Sequence, residues 1–249
     1  MWIVGGGIVM PIVLLIGVFA HTLVTMRAIS PAPAAEQMVI ELVGNQWWWE
    51  VRYPTQQVTT ANEIHIPTGR PVELRLTSED VIHSFWVPEL HGKIDLIPGR
   101  TTSLVLQADQ PGEYRGQCAE FCGVQHAKMA LIVVSETPEQ FSAWLEAKAR
   151  PAAEPSDPAA LESKQVFLGS ACAYCHTIQG TDATGKVGLD LTHLASRRTL
   201  ASATLTNTRD HLAAWITDPQ KIKPGNIMPA IDLAPDDLEA LLTYLENLK

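Results

Sequence analysis

The sequence is poor in cysteine and in positive charge. Four of its 249 residues are cysteine, too few for a domain held together by many disulfides. Lysine and arginine number 18 against 27 acidic residues, the net charge is −9, and no basic cluster occurs. We therefore expect no nucleic-acid partner, because binding to a phosphate backbone depends on clustered lysine and arginine.

The first segment has no charge at all from Ile3 to Met26. As an α-helix this run would extend about 36 Å, enough to cross a hydrocarbon core of about 30 Å. The sequence therefore predicts a transmembrane anchor, kinked at Pro11. A cleaved signal peptide is the alternative, with residues 32–34 resembling a cleavage site. However, the apolar run is long for a signal peptide, and no positive segment precedes it.

Four segments follow from the patterning, beginning with the anchor and a Pro/Ala-rich hinge over residues 1–35. Residues 36–136 contain β-rich runs at 38–43, 72–76, 81–87, 102–106 and 130–134, separated by proline and glycine turns. Many short strands at this spacing indicate a β-sandwich or barrel. Residues 137–158 combine a capping-box helix beginning at Thr137 with a proline-rich linker. Residues 159–249 have the pattern of helices joined by loops.

The loop from Cys118 to Met129 concentrates soft metal ligands. Its twelve residues include the thiols of Cys118 and Cys122, the imidazole of His126 and the thioether of Met129. Sulfur and imidazole favour copper, and two cysteines in one loop can bridge two metal ions. His83, in an upstream β-rich run, is the best candidate for the second histidine of such a centre. A structural zinc site or a disulfide is the alternative, but zinc leaves Met129 without a role.

Residues 172–176 form the CxxCH signature of a c-type haem. Such a motif attaches haem through thioether bonds from Cys172 and Cys175, with His176 as the proximal iron ligand. A redox motif of the thioredoxin type would require a βαβ context, and the surrounding pattern is helical.

A second axial ligand should lie on a loop well downstream of the CxxCH motif. Met228, held between prolines in the loop 223–229, fits this position. His193 and His211 are alternative ligands. Thioether plus imidazole ligation raises the haem potential, which suits an electron acceptor in respiration.

The first 136 residues resemble subunit II of haem-copper cytochrome c oxidases, which carries the dinuclear CuA centre. The motifs that carry the resemblance are residues 44–49, 83–88, 92–100 and the cysteine loop. The resemblance implies a cupredoxin-like sandwich with copper held by five side chains and one backbone carbonyl. The implied ligands are the side chains of His83, Cys118, Cys122, His126 and Met129 and the carbonyl of Glu120.

The same resemblance implies two further roles. The carboxylate of Glu120 would meet a magnesium ion shared with subunit I, and electrons would enter through Trp47, the first of three consecutive tryptophans. His65 and His91 match no ligand position, so we predict that they are structural or surface histidines.

The last 85 residues, 165–249, resemble a class I cytochrome c. That family usually has Gly-Pro where this sequence has Gly188-Leu189, and its proline carbonyl accepts the N–H of the proximal histidine. We therefore expect the Leu189 carbonyl to take this role in the present chain.

Together the resemblances imply a multidomain protein with one N-terminal transmembrane helix, an all-β cupredoxin-like sandwich and an all-α cytochrome c domain. The implied function is electron transfer from haem c to CuA and on to oxidase subunit I, where oxygen is reduced to water. Subunits I and III and a cytochrome c or quinol-oxidising complex are the expected partners. The expected location is a single-pass position in a bacterial inner membrane, with the redox domains on the periplasmic side. Alternatives are the input subunit of a CuA-bearing nitric oxide reductase and a standalone anchored redox shuttle.

Overall fold

The structure is a computed structural model that describes residues 2–29 and 37–249. The chain divides into two compact units, Met1–Gln37 and Met38–Lys249. The predicted Pro/Ala hinge at residues 30–35 falls outside the described residues.

The N-terminal unit is an apolar helix. Its parts are α1 (Trp2–Val4), a π-helical turn (Gly5–Val9) and α2 (Met10–Ile29). The π turn directs the N–H of Met10 to the carbonyl of Gly5, just before Pro11, whose ring nitrogen has no proton to donate. The stretch Trp2–Arg27 has a mean hydropathy of 2.5 and is exposed, and among the described residues it is the one helix that is long and apolar enough to cross a membrane. The kink at Pro11 stays a prediction.

The predicted cupredoxin-like sandwich is confirmed. Its strands are β1 (Met38–Asn45), β2 (Trp48–Tyr53), β3 (Val58–Ala61), β4 (Glu63–Pro67), β5 (Val72–Ser78), β6 (His83–Phe85), β7 (Ile94–Leu96), β8 (Thr102–Leu106), β9 (Gly112–Gln117) and β10 (Ala130–Glu136). Five strands form one sheet in the order β3-β2-β1-β5-β8, three form β4-β10-β9, and β6 pairs with β7. β1 is parallel to β5 and β4 to β10, whereas the other pairs in these sheets are antiparallel.

Strand β2 illustrates how the sequence builds the core. Trp49, Val51 and Tyr53 are fully buried, and the residues between them are partly exposed, because successive side chains of a strand point to opposite faces. The Tyr53 hydroxyl donates to the carbonyl of His65 at 2.9 Å and accepts from its N–H at 2.8 Å. One buried phenol therefore joins the two sheets.

Helix α3 (Pro138–Lys148) begins where the capping-box pattern predicts. Thr137 Oγ1 accepts from the N–H of Gln140, and Gln140 Oε1 accepts from the N–H of Thr137. Trp144 stacks on the ring of His65 at 4.0 Å between centroids, and His65 Nδ1 lies 3.0 Å from Glu136 Oε2. His65 is thus part of the packing between α3 and the sandwich.

The C-terminal region is helical, as predicted. Its helices are α4 (Pro158–Gly169), α5 (Cys172–Cys175), α6 (Arg209–Thr217), α7 (Pro219–Ile222) and α8 (Pro235–Leu245). α4 and α8 pack together, with the rings of Phe167 and Tyr244 5.7 Å apart. The sequence did not indicate the small ribbon of β11 (Thr199–Leu200) and β12 (Leu205–Thr206). Between these strands residues 201–203 have φ of 52°, 59° and 54°, a left-handed run without glycine.

Candidate functional site

Strand pairing closes the cysteine loop at both ends. β9 ends at Gln117, directly before Cys118, and β10 begins at Ala130, directly after Met129. Gln117 and Ala130 are opposite each other in the antiparallel pair, and the N–H of Cys118 donates to the carbonyl of Met129 at 2.9 Å. The strand β6 presents His83 to the same end of the sandwich, where it lies beside Cys118.

The five predicted copper-binding side chains lie in contact with one another. Cys118 Sγ is 3.7 Å from Cys122 Sγ and 3.9 Å from His83 Nδ1. Cys122 Sγ is 3.6 Å from His126 Nδ1 and 3.7 Å from Met129 Sδ. All are buried except His126, which is half-buried. The donor set is therefore assembled around two adjacent thiols, which fits soft metal ions.

The two thiols cannot both ionise easily without a cation. A hydrogen bond from Cys122 is the main cause that lowers the pKa of Cys118, and the same contact raises the pKa of Cys122. Burial opposes the charged form of His83, but hydrogen bonds to Cys118 and Asp80 raise its pKa overall. A buried cluster that holds one thiolate and resists a second is suited to a metal, which can supply the compensating charge.

The sequence reasoning assigned no role beside His83 to two residues that the fold places there, Asp80 and Gly44. Asp80 Oδ1 lies 2.8 Å from His83 Nε2, so the carboxylate orients the ring and leaves Nδ1 toward Cys118. A Cβ on Gly44 would lie 2.7 Å from His83 Cδ2, so only glycine leaves room for the imidazole there. Neither residue stands in a motif of metal-ligand spacing, and strand pairing alone brings them to the site.

Glu120 offers two different groups. Its backbone carbonyl lies 3.3 Å from Cys118 Sγ, at the edge of the sulfur cluster. Its carboxylate is exposed and lies 3.4 Å from Lys93 Nζ, which also contacts Asp95 Oδ1 at 3.0 Å. The carbonyl is thus near the thiols, whereas the carboxylate forms a surface ion pair.

The residues predicted to hold haem line one cleft. The cleft spans about 920 Å³ of space between the surrounding atoms, open solvent included. Its walls include Cys172, Cys175, His176 and Met228, and most of its surface is apolar. The fold therefore brings the CxxCH motif and the downstream methionine to one largely apolar cleft.

The proximal histidine is held as expected from the sequence. His176 Nδ1 lies 2.8 Å from the carbonyl of Leu189, which can only accept, so Nδ1 carries the proton and Nε2 keeps a free lone pair. Burial lowers the pKa of His176, which keeps the ring neutral. A Cβ on Gly188 would lie 2.5 Å from His176 Cε1, so this glycine is needed for the approach of the ring.

Arg197 is a further candidate that the sequence did not reveal. It lines a neighbouring pocket of about 500 Å³ together with His176 and Met228. Its side chain is largely buried, which lowers its pKa, and its Nε has no partner among the described residues. A buried, partly unsatisfied cation beside the cleft fits a ligand that carries carboxylates, as haem does.

Trp47 lies between the cleft and the cysteine loop, residues 118–129. It lines the cleft, and its indole Nε1 donates to the carbonyl of Cys122 at 2.9 Å. Gln46 Nε2 donates to the same carbonyl at 2.7 Å. Trp47 is only 9% exposed.

The other histidines lie outside these sites. His193 Nδ1 contacts the carbonyl of Lys249 at 2.8 Å, and His211 Nδ1 lies 2.9 Å from Thr206 Oγ1. Neither lines the cleft. His91 is half-buried and bonds through Nδ1 to the carbonyl of Gly92. His193 and His211, the alternatives to Met228 as the second ligand, therefore lie outside the cleft that His176 lines.

The fold and the two sites define a class: a redox protein with an apolar helix, a cupredoxin-like sandwich and a cytochrome c region. The family model for "Cytochrome C oxidase subunit II, periplasmic domain" matches residues 55–136, and that for "Cytochrome c" matches residues 160–249. These models describe copper-type and haem-type domains in general terms.

Curated relatives identify the family. Cytochrome c oxidase subunit 2 of Bacillus sp. (strain PS3) is 32% identical over 261 residues, covering 97% of this chain and 72% of that protein. The chain therefore belongs to the cytochrome c oxidase subunit 2 family. The corresponding protein of Alkalihalophilus pseudofirmus is 39% identical over 220 residues, covering 88% of this chain and 64% of that protein. The chain thus spans slightly less than two thirds of the length of this second relative.

Solved structures are similar as well. The periplasmic domain of subunit II of cytochrome oxidase (CoxB) of Bradyrhizobium japonicum is 30% identical, with a TM-score of 0.45. The match covers 47% of this chain and 95% of that one.

Proposed function

We propose that this chain is the electron-transfer subunit of a terminal cytochrome c oxidase. In this proposal it passes electrons from a covalently bound haem c to a dinuclear copper centre and on to subunit I, where oxygen is reduced. The observation that carries the proposal is the position of Trp47, which lines the cleft of His176 and Met228 and donates to the carbonyl of Cys122. One side chain thereby joins the two candidate sites.

The proposed copper ligands are a compact set. The thiolates of Cys118 and Cys122 would bridge two copper ions, and their 3.7 Å sulfur separation supports this. The remaining ligands would be the side chains of His83, His126 and Met129 and the carbonyl of Glu120. A rigid strand framework and the Asp80 contact would hold the ligands in place during a change of charge.

The proposed haem site uses the CxxCH motif and the downstream methionine. Cys172 and Cys175 would form the thioether bonds, and His176 Nε2 and Met228 Sδ would be the axial ligands. The Leu189 carbonyl fixes the tautomer of His176, and Arg197 would pair with a haem carboxylate. When bound, copper and haem supply one-electron redox chemistry, and the chain itself provides position, burial and electrostatic environment.

The proposed surroundings follow from the family and the anchor. We place the chain in a bacterial inner membrane as a single-pass subunit, with both redox regions on the periplasmic side. Oxidase subunits I and III would be partners, and a cytochrome c or a quinol-oxidising complex would be the donor. Because Trp47 is buried and lines the cleft together with residues of the helical region, such a donor would meet the cytochrome region first. A magnesium ion at the Glu120 carboxylate would have to displace Lys93.

Metal and haem analysis of the purified full chain tests the assignment of the groups. We expect two coppers and one covalently bound haem c per chain, with a near-infrared copper band. Zinc in place of copper, or haem released by acid-acetone extraction, would contradict it.

Gas consumption by the purified complex tests the reaction. We expect uptake of O2 with a haem-containing partner subunit present. Consumption of NO without O2 would support the nitric oxide reductase alternative. Isolation at 27.2 kDa with no partner would support a standalone shuttle.

A further inference from the structure

Two donors of the helical region converge on the backbone carbonyl of Trp47. Lys223 Nζ donates to this oxygen at 2.8 Å, and Ser202 Oγ donates at 2.9 Å. Lys223 Nζ also lies 3.3 Å from the carbonyl of Ala201. Both side chains are almost fully buried, at 3% exposure for Lys223 and 1% for Ser202. The contact is therefore an internal junction between the cytochrome region and the sandwich.

Lys223 is an unusual residue to find at such a junction. Burial, together with the nearby charge of Lys128, lowers its pKa to about 7. Within the described part of the chain no carboxylate forms an ion pair with it, so its charge is met by carbonyl oxygens alone. Burying an amine costs free energy unless its hydrogen bonds are satisfied. The buried position of Lys223 therefore depends on its hydrogen bond to the Trp47 carbonyl.

The backbone around Ser202 is also held in an uncommon conformation. Ala201, Ser202 and Ala203 all have positive φ, a region that residues with a Cβ rarely adopt. The carbonyl of Ser202 accepts from the N–H of Ala130, and its hydroxyl lies 3.0 Å from Asn62 Oδ1. Such a conformation persists where surrounding contacts fix it, and here those contacts come from the sandwich.

The segment next to Lys223 is also hydrogen-bonded to the cysteine loop. Gln125 Nε2 donates to the carbonyl of Pro224 at 2.7 Å, and Lys128 Nζ donates to that of Ile222. Lys223 thus lies between two anchoring points, and the same segment continues to Met228 at the cleft.

We propose that Lys223, assisted by Ser202, is a positioning residue that holds the cytochrome region against Trp47 and so sets the distance between the haem cleft and the cysteine loop. This inference rests on the proposed function, because it assigns Lys223 a role in electron transfer between the two sites. Lys223 acts through the Trp47 carbonyl and contacts none of the proposed metal ligands among its hydrogen-bond partners.

The test compares three variants of the full chain with its bound groups. Lys223→Met removes the donor and keeps a similar length, Ser202→Ala removes the weaker donor, and Lys221→Met removes an exposed lysine of α7 as the matched control. Electron equilibration between haem and copper after photochemical injection should slow at least about tenfold in Lys223→Met and less in Ser202→Ala, since small misplacements strongly reduce rates. Lys221→Met should match the wild type.

Hydrogen exchange on the full chain with its bound groups supplies a second readout. In Lys223→Met, exchange should rise in residues 45–49 and 199–204 and stay unchanged in α4 and α8. Haem content, copper content and both midpoint potentials should equal those of the wild type. A wild-type rate in Lys223→Met, exchange that rises throughout residues 159–249, or loss of either bound group would overturn the inference. If the wild type carries both groups and shows no transfer between them, the proposed function itself fails.

Discussion

In the sandwich the side chains proposed to bind copper touch one another, whereas in the helical region the residues proposed to hold haem are spread around a cleft of about 920 Å³. Metal ions are small, so strand pairing can bring their ligands to within bonding range before any ion binds. A haem is a large planar group, and a helical region of this size can hold it only by leaving a volume unfilled. The buried core of the sandwich accordingly includes Cys118, Cys122 and Met129, whereas Cys175 and Met228 lie outside the described hydrophobic core of the helical region.

The largest effect should come from removing one bridging thiol. Cys122→Ser should abolish the near-infrared copper band, since serine oxygen is a poor soft-metal ligand. The haem spectrum should stay unchanged, because Cys122 is not among the residues that line the cleft. The reciprocal variant Cys175→Ser should prevent full covalent attachment of haem and leave the copper band. An intact copper band in Cys122→Ser would remove the thiolate assignment.

Two glycines offer a matched comparison of the sites. Gly44→Ala would place a Cβ 2.7 Å from the His83 ring, and Gly188→Ala would place one 2.5 Å from the His176 ring. We expect Gly44→Ala to weaken copper retention by about tenfold or more without affecting haem. Gly188→Ala should disturb the haem ligand-field spectrum without affecting copper. Titration with a copper chelator and optical spectra measure both, and loss of the two groups together in either variant would contradict independent sites.

Met228→Leu should change only the reduction potential of the haem. The thioether is lost while both cysteines and His176 remain, so haem should stay attached. Its reduction potential should fall by on the order of 0.1 V, a fraction of the roughly 0.8 V range that axial ligands control. Potentiometric titration checks this, with the copper potential as internal control. An unchanged haem potential would exclude Met228 as the ligand.

The smallest effect on either site concerns pH. Lys223 has a folded pKa of about 7 against an unfolded value of 10.5, so between these values the unfolded chain binds a proton that the folded chain has released. The free energy of unfolding should therefore rise with pH over this window, by on the order of 4 kcal/mol from this residue. Lys223→Met should lack this rise.

Thermal midpoints of the wild type and Lys223→Met, measured from about pH 6.5 to pH 10, test the sign of this linkage. As pH rises, the thermal midpoint of the wild type should increase relative to that of Lys223→Met. Lys221→Met is again the matched control, because its charge is exposed. Parallel curves for wild type and Lys223→Met would show that the Lys223 ammonium is not destabilised by burial.

Local patterns predicted most of the longer strands and helices, and together with the family resemblance they nominated the residues that the fold brings to the two sites. The capping box at Thr137 predicted the start of α3, and alternating burial in β2 follows its sequence period. The Leu189 carbonyl accepts from His176, as expected from the position that it shares with the Gly-Pro carbonyl of class I cytochromes c. By contrast, Asp80 and Arg197 carry no motif, and only long-range packing makes them neighbours of the two sites.

The sequence by itself determined which ligand types are present, because cysteine spacing, the histidine after CxxC and the apolar first segment are local properties of the chain. Tertiary structure alone decided how the two redox regions meet. The contact of Lys223 with Trp47 joins residues 176 positions apart. The left-handed run at residues 201–203 contains no glycine, so the sequence did not indicate it. Such contacts depend on the packing of two separately patterned regions, and no local periodicity encodes that packing.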